Sequence, residues 1–297
     1  MDDDVPIILV TGAGGQLASE LEAIAVEYPI FQFLFLDQET LDITDRSELS
    51  AFFKSNKIKY CLNTAAYTAV DRAESEYEEA LAVNGTAVGH LAELCNECNT
   101  KLIHISTDFV FDGLSDLPYL ETDKTNPINA YGRTKLLGEK LAISNASSCH
   151  IIRTSWLYGK NGNNFIQTMI RLGQSRDVVR VVNDQFGSPT YAADLAIAIM
   201  EMITHPEFDQ TCGIYHYSNE GAISWFDFAH EIFETAGLKA KLEAVSSSEY
   251  LMPAKRPTYS VLDTLKIKSN FSISIPNWKE SLHHYLQLTR QKKRTLF

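Results

Sequence analysis

The fold is decided by the stretch Ile7-Ile8-Leu9-Val10-Thr11-Gly12-Ala13-Gly14-Gly15-Gln16-Leu17-Ala18. Ile7–Thr11 is a short apolar run rich in β-branched residues, which suits a buried strand. From Gln16 to Glu27 the apolar residues Leu17, Leu21, Ile24 and Ala25 recur at helical spacing. Between the two lies a glycine-rich turn, Gly12-x-x-Gly15-x-x-Ala18. Glycine permits a tight turn and lets backbone N–H groups approach a pyrophosphate. The helix N-terminus adds partial positive charge at the same place. Strand, turn and helix in this order point to a dinucleotide site.

Outward from this unit, strand and helix alternate. A second apolar run, Phe31–Leu36, precedes a helical pattern over Asp45–Asn56. Then come a strand at Tyr60–Leu62, a long helical stretch at Glu78–Asn96, a strand at Lys101–Ser106, a helix at Tyr131–Ile143 and a strand at Ile151–Thr154. Such alternation predicts an α/β fold, a doubly wound parallel sheet of Rossmann type. After residue 160 the rhythm loosens. Helices are expected over Phe165–Leu172, Asp194–Ile203, Trp225–Ala236 (capped by Ser224) and Trp278–Leu288, and strands over Asp177–Val182 and Ile214–Tyr217. Ser246–Asp263, with Pro253 and Pro257, reads as mostly loop. The expected division is a dinucleotide-binding domain over 1–160 and a smaller α/β substrate domain over 161–297, some segments of which return to the Rossmann core.

Composition narrows the function. The 297 residues are 45% hydrophobic and 22% charged, ordinary values for a globular chain. A net charge of −12 argues against a general nucleic-acid binder, because phosphate contacts need Lys and Arg. It argues equally against a membrane-surface role. No apolar run approaches the roughly 20 residues of a membrane helix. The acidic start Met1-Asp2-Asp3-Asp4 does not resemble a signal peptide. Cys61, Cys95, Cys98, Cys149 and Cys212 are odd in number and widely scattered, so a reduced, cytoplasmic protein is expected. Cys95-x-x-Cys98 lacks a second pair and reads as structural. The basic tail from Arg290 to Arg294 reads as solvated.

Several residues carry candidate chemistry. Asp37 ends the second strand, where a carboxylate can accept hydrogen bonds from an adenosine ribose or serve as a turn residue. A carboxylate there repels a 2′-phosphate and no Arg follows closely, which favours NADH over NADPH. Asp42-Ile43 is a resting place for an adenine or a plain loop. In Tyr131-Gly132-Arg133-Thr134-Lys135 the Tyr and Lys share a helix face. A nearby ammonium favours the phenolate and would bring Tyr131 toward neutrality as an acid or base. The fourth strand ends at Ser106-Thr107-Asp108, at the carboxyl edge where α/β sheets bind ligands. A hydroxyl there, Thr107 or the competing Ser106, can hydrogen-bond a substrate carbonyl and the tyrosine.

These residues resemble the extended short-chain dehydrogenases/reductases and, within them, the dTDP-4-dehydrorhamnose reductases. The matching stretches are Val10–Leu17, Asn63–Asp71, Ser106–Gly113, Asn129–Lys135, Arg153–Tyr158, Gly162–Phe165, Asn183–Thr190 and, more weakly, Lys255–Pro257. They span nearly the whole chain. The resemblance implies reduction of the C4 ketone of dTDP-4-dehydro-L-rhamnose to dTDP-L-rhamnose by hydride from NADPH or NADH, in nucleotide-sugar and cell-surface polysaccharide biosynthesis. It implies that Thr107 polarises the carbonyl, Tyr131 donates the proton, and Lys135 holds the ribose and the tyrosine. Gly12, Gly15, Gln16 and Leu17 would meet the cofactor. Ala66, Tyr67 and Thr68 would line its cleft, with Thr68 and Val70 reaching the sugar. Asp108 and Trp156 would contact the deoxyhexose, and Asn84 would stand behind the lysine. Some members use Mg2+ at a dimer interface near acidic positions such as Glu20. No compact metal-ligand motif exists here, so no metal site is expected, and a homodimer is left open.

The chain departs from the family pattern at Ala13, often Lys or Arg, and at Tyr259, often a smaller polar residue. The same superfamily contains other nucleotide-sugar reductases, 4-epimerases and a non-catalytic regulatory subunit of methionine adenosyltransferase. The intact Thr107, Tyr131 and Lys135 favour the enzyme.

Overall fold

The structure is a computed structural model that describes residues 5–295, with side chains through Arg290. The acidic Met1–Asp4 start and the basic side chains beyond Arg290 lie outside the described residues. The first half runs β1 (Ile7–Thr11), α1 (Gln16–Ile24), β2 (Gln32–Leu36), α2 (Arg46–Ser55), β3 (Ile58–Asn63), α3 (Tyr77–Leu81), α4 (Ala87–Glu97), β4 (Lys101–Thr107), α5 (Ala130–Asn145) and β5 (Cys149–Thr154). The second half runs β6 (Leu157–Tyr158), α6 (Phe165–Ser175), β7 (Val178–Val182), β8 (Phe186–Gly187), β9 (Thr190–Tyr191), α7 (Ala192–Thr204), β10 (Gly213–Tyr217), β11 (Ile223–Ser224), α8 (Trp225–Ala236), β12 (Lys241–Val245), α9 (Leu265–Phe271) and α10 (Trp278–Thr295).

Six strands form the central sheet in the order β10-β5-β4-β3-β1-β2, and every neighbouring pair is parallel. Along β1 the side chains alternate. Ile8 and Val10 enter one core layer with Leu17 and Leu21 of α1 and Leu195 and Ile199 of α7. Leu9 enters the opposite layer with Leu49 of α2 and Leu91 of α4. The sheet is therefore covered on both faces, as all-parallel sheets are. A third core cluster gathers Ile166, Met169, Val179, Phe228, Ile232 and Leu282 from α6, β7, α8 and α10. The chain crosses back after α6: α7 packs on α1 and β10 pairs with β5 from Gly213↔His150 to Tyr217↔Thr154.

Ser224 caps α8 through a reciprocal pair with Asp227, and Gly237, at φ +66°, ends it. The expected long helix over Glu78–Asn96 is instead three pieces. A five-residue π-turn, Ala82–Thr86, separates α3 from α4. Besides the two-residue strands β6, β8, β9 and β11, two longer elements lie outside the expected set. One is α9; the other is β12, whose Lys241-Leu242-Glu243-Ala244-Val245 alternation pairs with β7. All five cysteines are free thiols, with Cys61, Cys95 and Cys149 buried.

Candidate active site

The order of the sheet reverses beside β1, whose neighbours are β2 and β3. Ligands of open α/β sheets sit at such a switch point. Gly12 and Gly14 there have φ of +78° and +79°, a region that excludes most side chains. A Cβ on Gly12 would lie 2.7 Å from the Ala65 backbone. Gly15 is the N-cap of α1 and provides no side-chain cap, so the first N–H groups of that helix are available to an anion.

A cleft of about 490 Å3 opens from this turn. Gly12, Gly15, Gln16 and Leu17 line its floor, Asp42 and Ile43 one end, and Ala66, Tyr67 and Thr68 the wall. Sequence reasoning missed Gln38, Leu41, Val83, Ile105, Leu157 and Asn163, which also line it. Asp37 does not line the cleft. It is exposed, and its carboxylate accepts the Thr40 N–H at 2.9 Å. Contact with Thr40 holds its carboxyl below the usual range. Gln38 is the residue that this turn presents to the cleft. The glycine cradle, the uncapped helix start and the cleft volume fit a dinucleotide.

Thr107 ends β4, where its hydroxyl donates to Asp108 Oδ1 at 3.0 Å and accepts the Phe109 N–H at 3.2 Å. Ser106 points the other way. Its hydroxyl donates to Glu139, which also holds Arg153 at 2.7 Å in a buried ion pair. Asp108 is buried, and its Oδ2 has no hydrogen-bond partner. Burial pushes its carboxyl up to about 6, against hydrogen bonds from Ser260 and Thr107.

Tyr131 stands in the first turn of α5. Asn129 caps that turn by accepting the Gly132 N–H at 2.7 Å, and Phe109 meets the phenol ring edge-on at 5.9 Å. Burial pushes the phenol up to about 12, the Thr107 hydroxyl opposes this, and the Asp108 carboxylate adds to it. Lys135 is buried one turn on. Its Nζ donates to the Ile105 carbonyl at 2.6 Å and lies 3.5 Å from His104 Nε2. Burial brings the amine down to about 8. The expectation that Lys135 would draw Tyr131 toward neutrality is thus not met: the amine turns toward β4, and burial governs the phenol.

Asn84 packs against α5, its Nδ2 donating to the hydroxyl of Thr134, the residue before Lys135, at 3.3 Å. From the π-turn it accepts the Tyr67 N–H at 2.9 Å and donates to the Tyr67 carbonyl at 3.0 Å, fixing the cleft wall. Thr68 is exposed and Val70 half-buried, joined by a Val70 N–H to Thr68 carbonyl bond of 2.9 Å. Trp156 follows β5 at φ +47° and stacks on Trp225 at 3.5 Å and 10°. Trp225 leads into a second cavity of about 290 Å3, lined also by Phe109, Phe165, Met169, Arg180 and Arg256. Arg256 donates to both Asp71 oxygens, at 3.0 and 2.7 Å. Asp184 and Gln185 both bond Ser247 and hold the loop beside this cavity. Among the described residues, no group of three His, Cys, Asp or Glu side chains gathers to hold a metal ion. Glu20 is buried and paired with Lys160 at 3.0 Å.

A doubly wound sheet with a glycine cradle at its switch point, and a Thr at the carboxyl end of β4 with a Tyr and Lys in the first two turns of α5, define a nicotinamide-dependent oxidoreductase of the short-chain dehydrogenase/reductase class. Comparison with known proteins narrows this. The family described as "RmlD substrate binding domain" matches residues 7–291, and the chain belongs to that family. It is 40% identical over 283 residues to a dTDP-4-dehydrorhamnose reductase of Aggregatibacter actinomycetemcomitans, covering 93% of this chain and 96% of that one. It is 39% identical over 280 residues to the spore coat polysaccharide biosynthesis protein SpsK of Bacillus subtilis, covering 94% and 96%. Its fold is similar to the crystal structure of a dTDP-4-dehydrorhamnose reductase from Clostridium acetobutylicum, with a TM-score of 0.91, 38% identity and coverage of 96% and 99%. That of Bacillus anthracis, in complex with NADP, gives a TM-score of 0.90 and 37% identity, with coverage of 95% and 99%.

Proposed function

We propose that this protein reduces the C4 ketone of dTDP-4-dehydro-L-rhamnose, yielding dTDP-L-rhamnose. The observation that carries the reading is the cluster formed where β4 ends beside the start of α5: a hydroxyl (Thr107), a protonated phenol (Tyr131) and a buried carboxylate oxygen (Asp108 Oδ2) that still needs a donor. A ketone oxygen suits the first two groups, and a neighbouring sugar hydroxyl suits the third. When bound, the reduced nicotinamide supplies the hydride. Gly12, Gly15, Gln16 and Leu17 hold the pyrophosphate, Asp42 and Ile43 border the adenosine end, and Ala66–Thr68 form the wall.

Negative charge develops on the ketone oxygen during reduction, so donors fixed beside it lower the barrier. Thr107 donates a hydrogen bond there and Tyr131 donates its proton. A phenol held at about 12 carries that proton throughout the neutral range, which is the state a reduction needs. Lys135 holds the ribose side of the site. Thr68, Val70, Asp108 and Trp156 take the deoxyhexose. The 161–297 half is mainly the substrate domain. Its second cavity offers Phe165 and Trp225 to a base and Arg180 and Arg256 to a diphosphate.

Among the described residues no helix is long and apolar enough to cross a membrane. We place the protein in the cytoplasm, acting on a free nucleotide sugar, with a homodimer compatible with the fold. The test is nicotinamide oxidation by dTDP-4-dehydro-L-rhamnose generated in situ, with NADH and NADPH in parallel. Rapid oxidation supports the reading. No oxidation from folded protein, with or without magnesium, overturns it in favour of another sugar or a regulatory role.

A further inference from the structure

A row of buried polar side chains crosses the sheet behind the catalytic lysine. Thr11, Asn63 and His104 stand in register on β1, β3 and β4. All three are buried. The Thr11 hydroxyl donates to Asn63 Oδ1 at 2.7 Å, Asn63 Nδ2 meets His104 Nδ1 at 3.1 Å, and His104 Nε2 faces Lys135 Nζ at 3.5 Å. The row runs from the residue preceding the phosphate turn to the amine that bonds the carbonyl of the cleft-lining Ile105.

The arrangement, with the Asn63 amide nitrogen facing His104 Nδ1, favours one tautomer. Asn63 spends its carbonyl on Thr11, so its NH2 donates to Nδ1. A neutral imidazole with an accepting Nδ1 carries its proton on Nε2. That N–H points at Lys135. It repels an ammonium and donates to an amine.

We propose that His104 is a positioning residue which, through its Nε2–H, holds Lys135 against the Ile105 carbonyl and favours the neutral amine. The proposal rests on the reading of Lys135 as part of the active site. Burial holds His104 well below its ordinary value, and the Lys135 charge lowers it further, so the ring itself stays neutral. The other charged groups around the amine are Glu139 on α5, which favours the ammonium but is already paired with Arg153 of β5, and Asp108 beside Tyr131. The phenol of Tyr131 shares the helix face.

Asn and Gln separate the two ring nitrogens, because Asn places an amide near Nδ1 and Gln places one near Nε2. His104→Asn keeps the Asn63 bond and loses the Lys135 contact; His104→Gln does the reverse. The expected result is a Lys135 titration, read from its 13Cε NMR shift in the full chain, that moves up by about one pH unit in His104→Asn. The same limb of kcat/KM against pH should move with it, while His104→Gln stays near wild type. In the wild-type protein, 15N shifts should show the Nε2–H tautomer at neutral pH. An Nδ1–H tautomer, or two variants that lower Tm alike and leave the Lys135 titration unmoved, overturns the proposal. The NMR readouts need no turnover, so they test the role of His104 even if the reductase assay fails.

Discussion

Trp156 and Trp225 lie face to face, their ring centroids 3.5 Å apart and their planes 10° from parallel. One follows β5 in the central sheet; the other opens α8. The stack holds Trp156 at φ +47°, a left-handed conformation that costs a bulky residue about 1–3 kcal/mol. Gly187 lies directly beneath the indole, where a Cβ would come within 2.6 Å of the ring. The indole is thus fixed before any sugar arrives. Trp156→Ala is expected to raise the sugar-nucleotide KM about tenfold, on the scale of one lost aromatic contact, and to leave cofactor affinity unchanged. Steady-state kinetics beside a cofactor titration decide it, and an unchanged KM would remove Trp156 from the sugar site.

Tyr131→Phe removes the proton donor and keeps the ring against Phe109. The expected fall in kcat is about 10²–10⁴-fold, the usual contribution of a positioned acid, with NADH binding retained. Stopped-flow turnover and a fluorescence titration separate the two effects. Turnover at the wild-type rate would sink the proposed mechanism.

Asp108 couples activity to stability. Burial raises its carboxyl from 3.8 to about 6, so the native protein binds that proton more tightly than the unfolded chain does. The stability this proton contributes is present below about pH 4 and is lost as the pH rises through 6. Asp108→Asn should therefore be more stable than wild type at pH 7.5, by about 3 kcal/mol, with a flatter stability curve between pH 4 and 6. Its kcat/KM should fall tenfold or more, by roughly the strength of one charged hydrogen bond. Urea denaturation across pH, with parallel kinetics, is the measurement.

The Glu139–Arg153 pair is buried on both sides, and the Arg153 guanidinium also lies 5.1 Å over the Phe111 ring. Glu139→Gln leaves an uncompensated buried cation and should cost about 3–5 kcal/mol. Glu139→Leu with Arg153→Met should recover much of this. Chemical denaturation of the single and double variants tests it; equal losses in both would mean that the site needs the charges themselves.

The adenosine end of the cleft carries Asp42, with Asp37 close by in sequence, and among the described residues no Lys or Arg lines the cleft. A 2′-phosphate there would meet the Asp42 carboxylate and no cation. NADH is expected to bind about tenfold tighter than NADPH, and Gln38→Arg to narrow or reverse the gap through one charge-assisted contact. Isothermal titration with both cofactors measures it directly, and equal affinities in the wild-type protein would refute it.

Much of this was legible in the sequence. The six strands of the sheet alternate with helices, the Gly12 motif sits where β1 meets α1, and Tyr131 and Lys135 lie in the first two turns of α5. What escaped depends on tertiary context. The π-turn holds Val83-Asn84-Gly85-Thr86, weak helix formers, but its role shows only in the bonds of Asn84 to Tyr67 and Thr134. Asp37 and Gln38 are neighbours, and which one faces the cleft is set by the Thr40 turn. β12 alternates correctly, but its five residues include two charges and it needs β7 to be a strand. The partners of Lys135 lie on β4, across the sheet from any local signal, so a spacing argument connects it only to Tyr131.

The return of β10 to the sheet has a consequence for the order of assembly. β5 is buried along its whole length, yet one of its two flanking strands arrives only with Gly213–Tyr217. Until that segment leaves the ribosome, Ile151 and Ile152 border an open parallel edge for seconds at ordinary elongation rates. An exposed apolar edge is a template for pairing with other chains. A nascent chain stalled between β5 and β10 is therefore the aggregation-prone species, and the stretch of synthesis between those strands is where a chaperone would be needed.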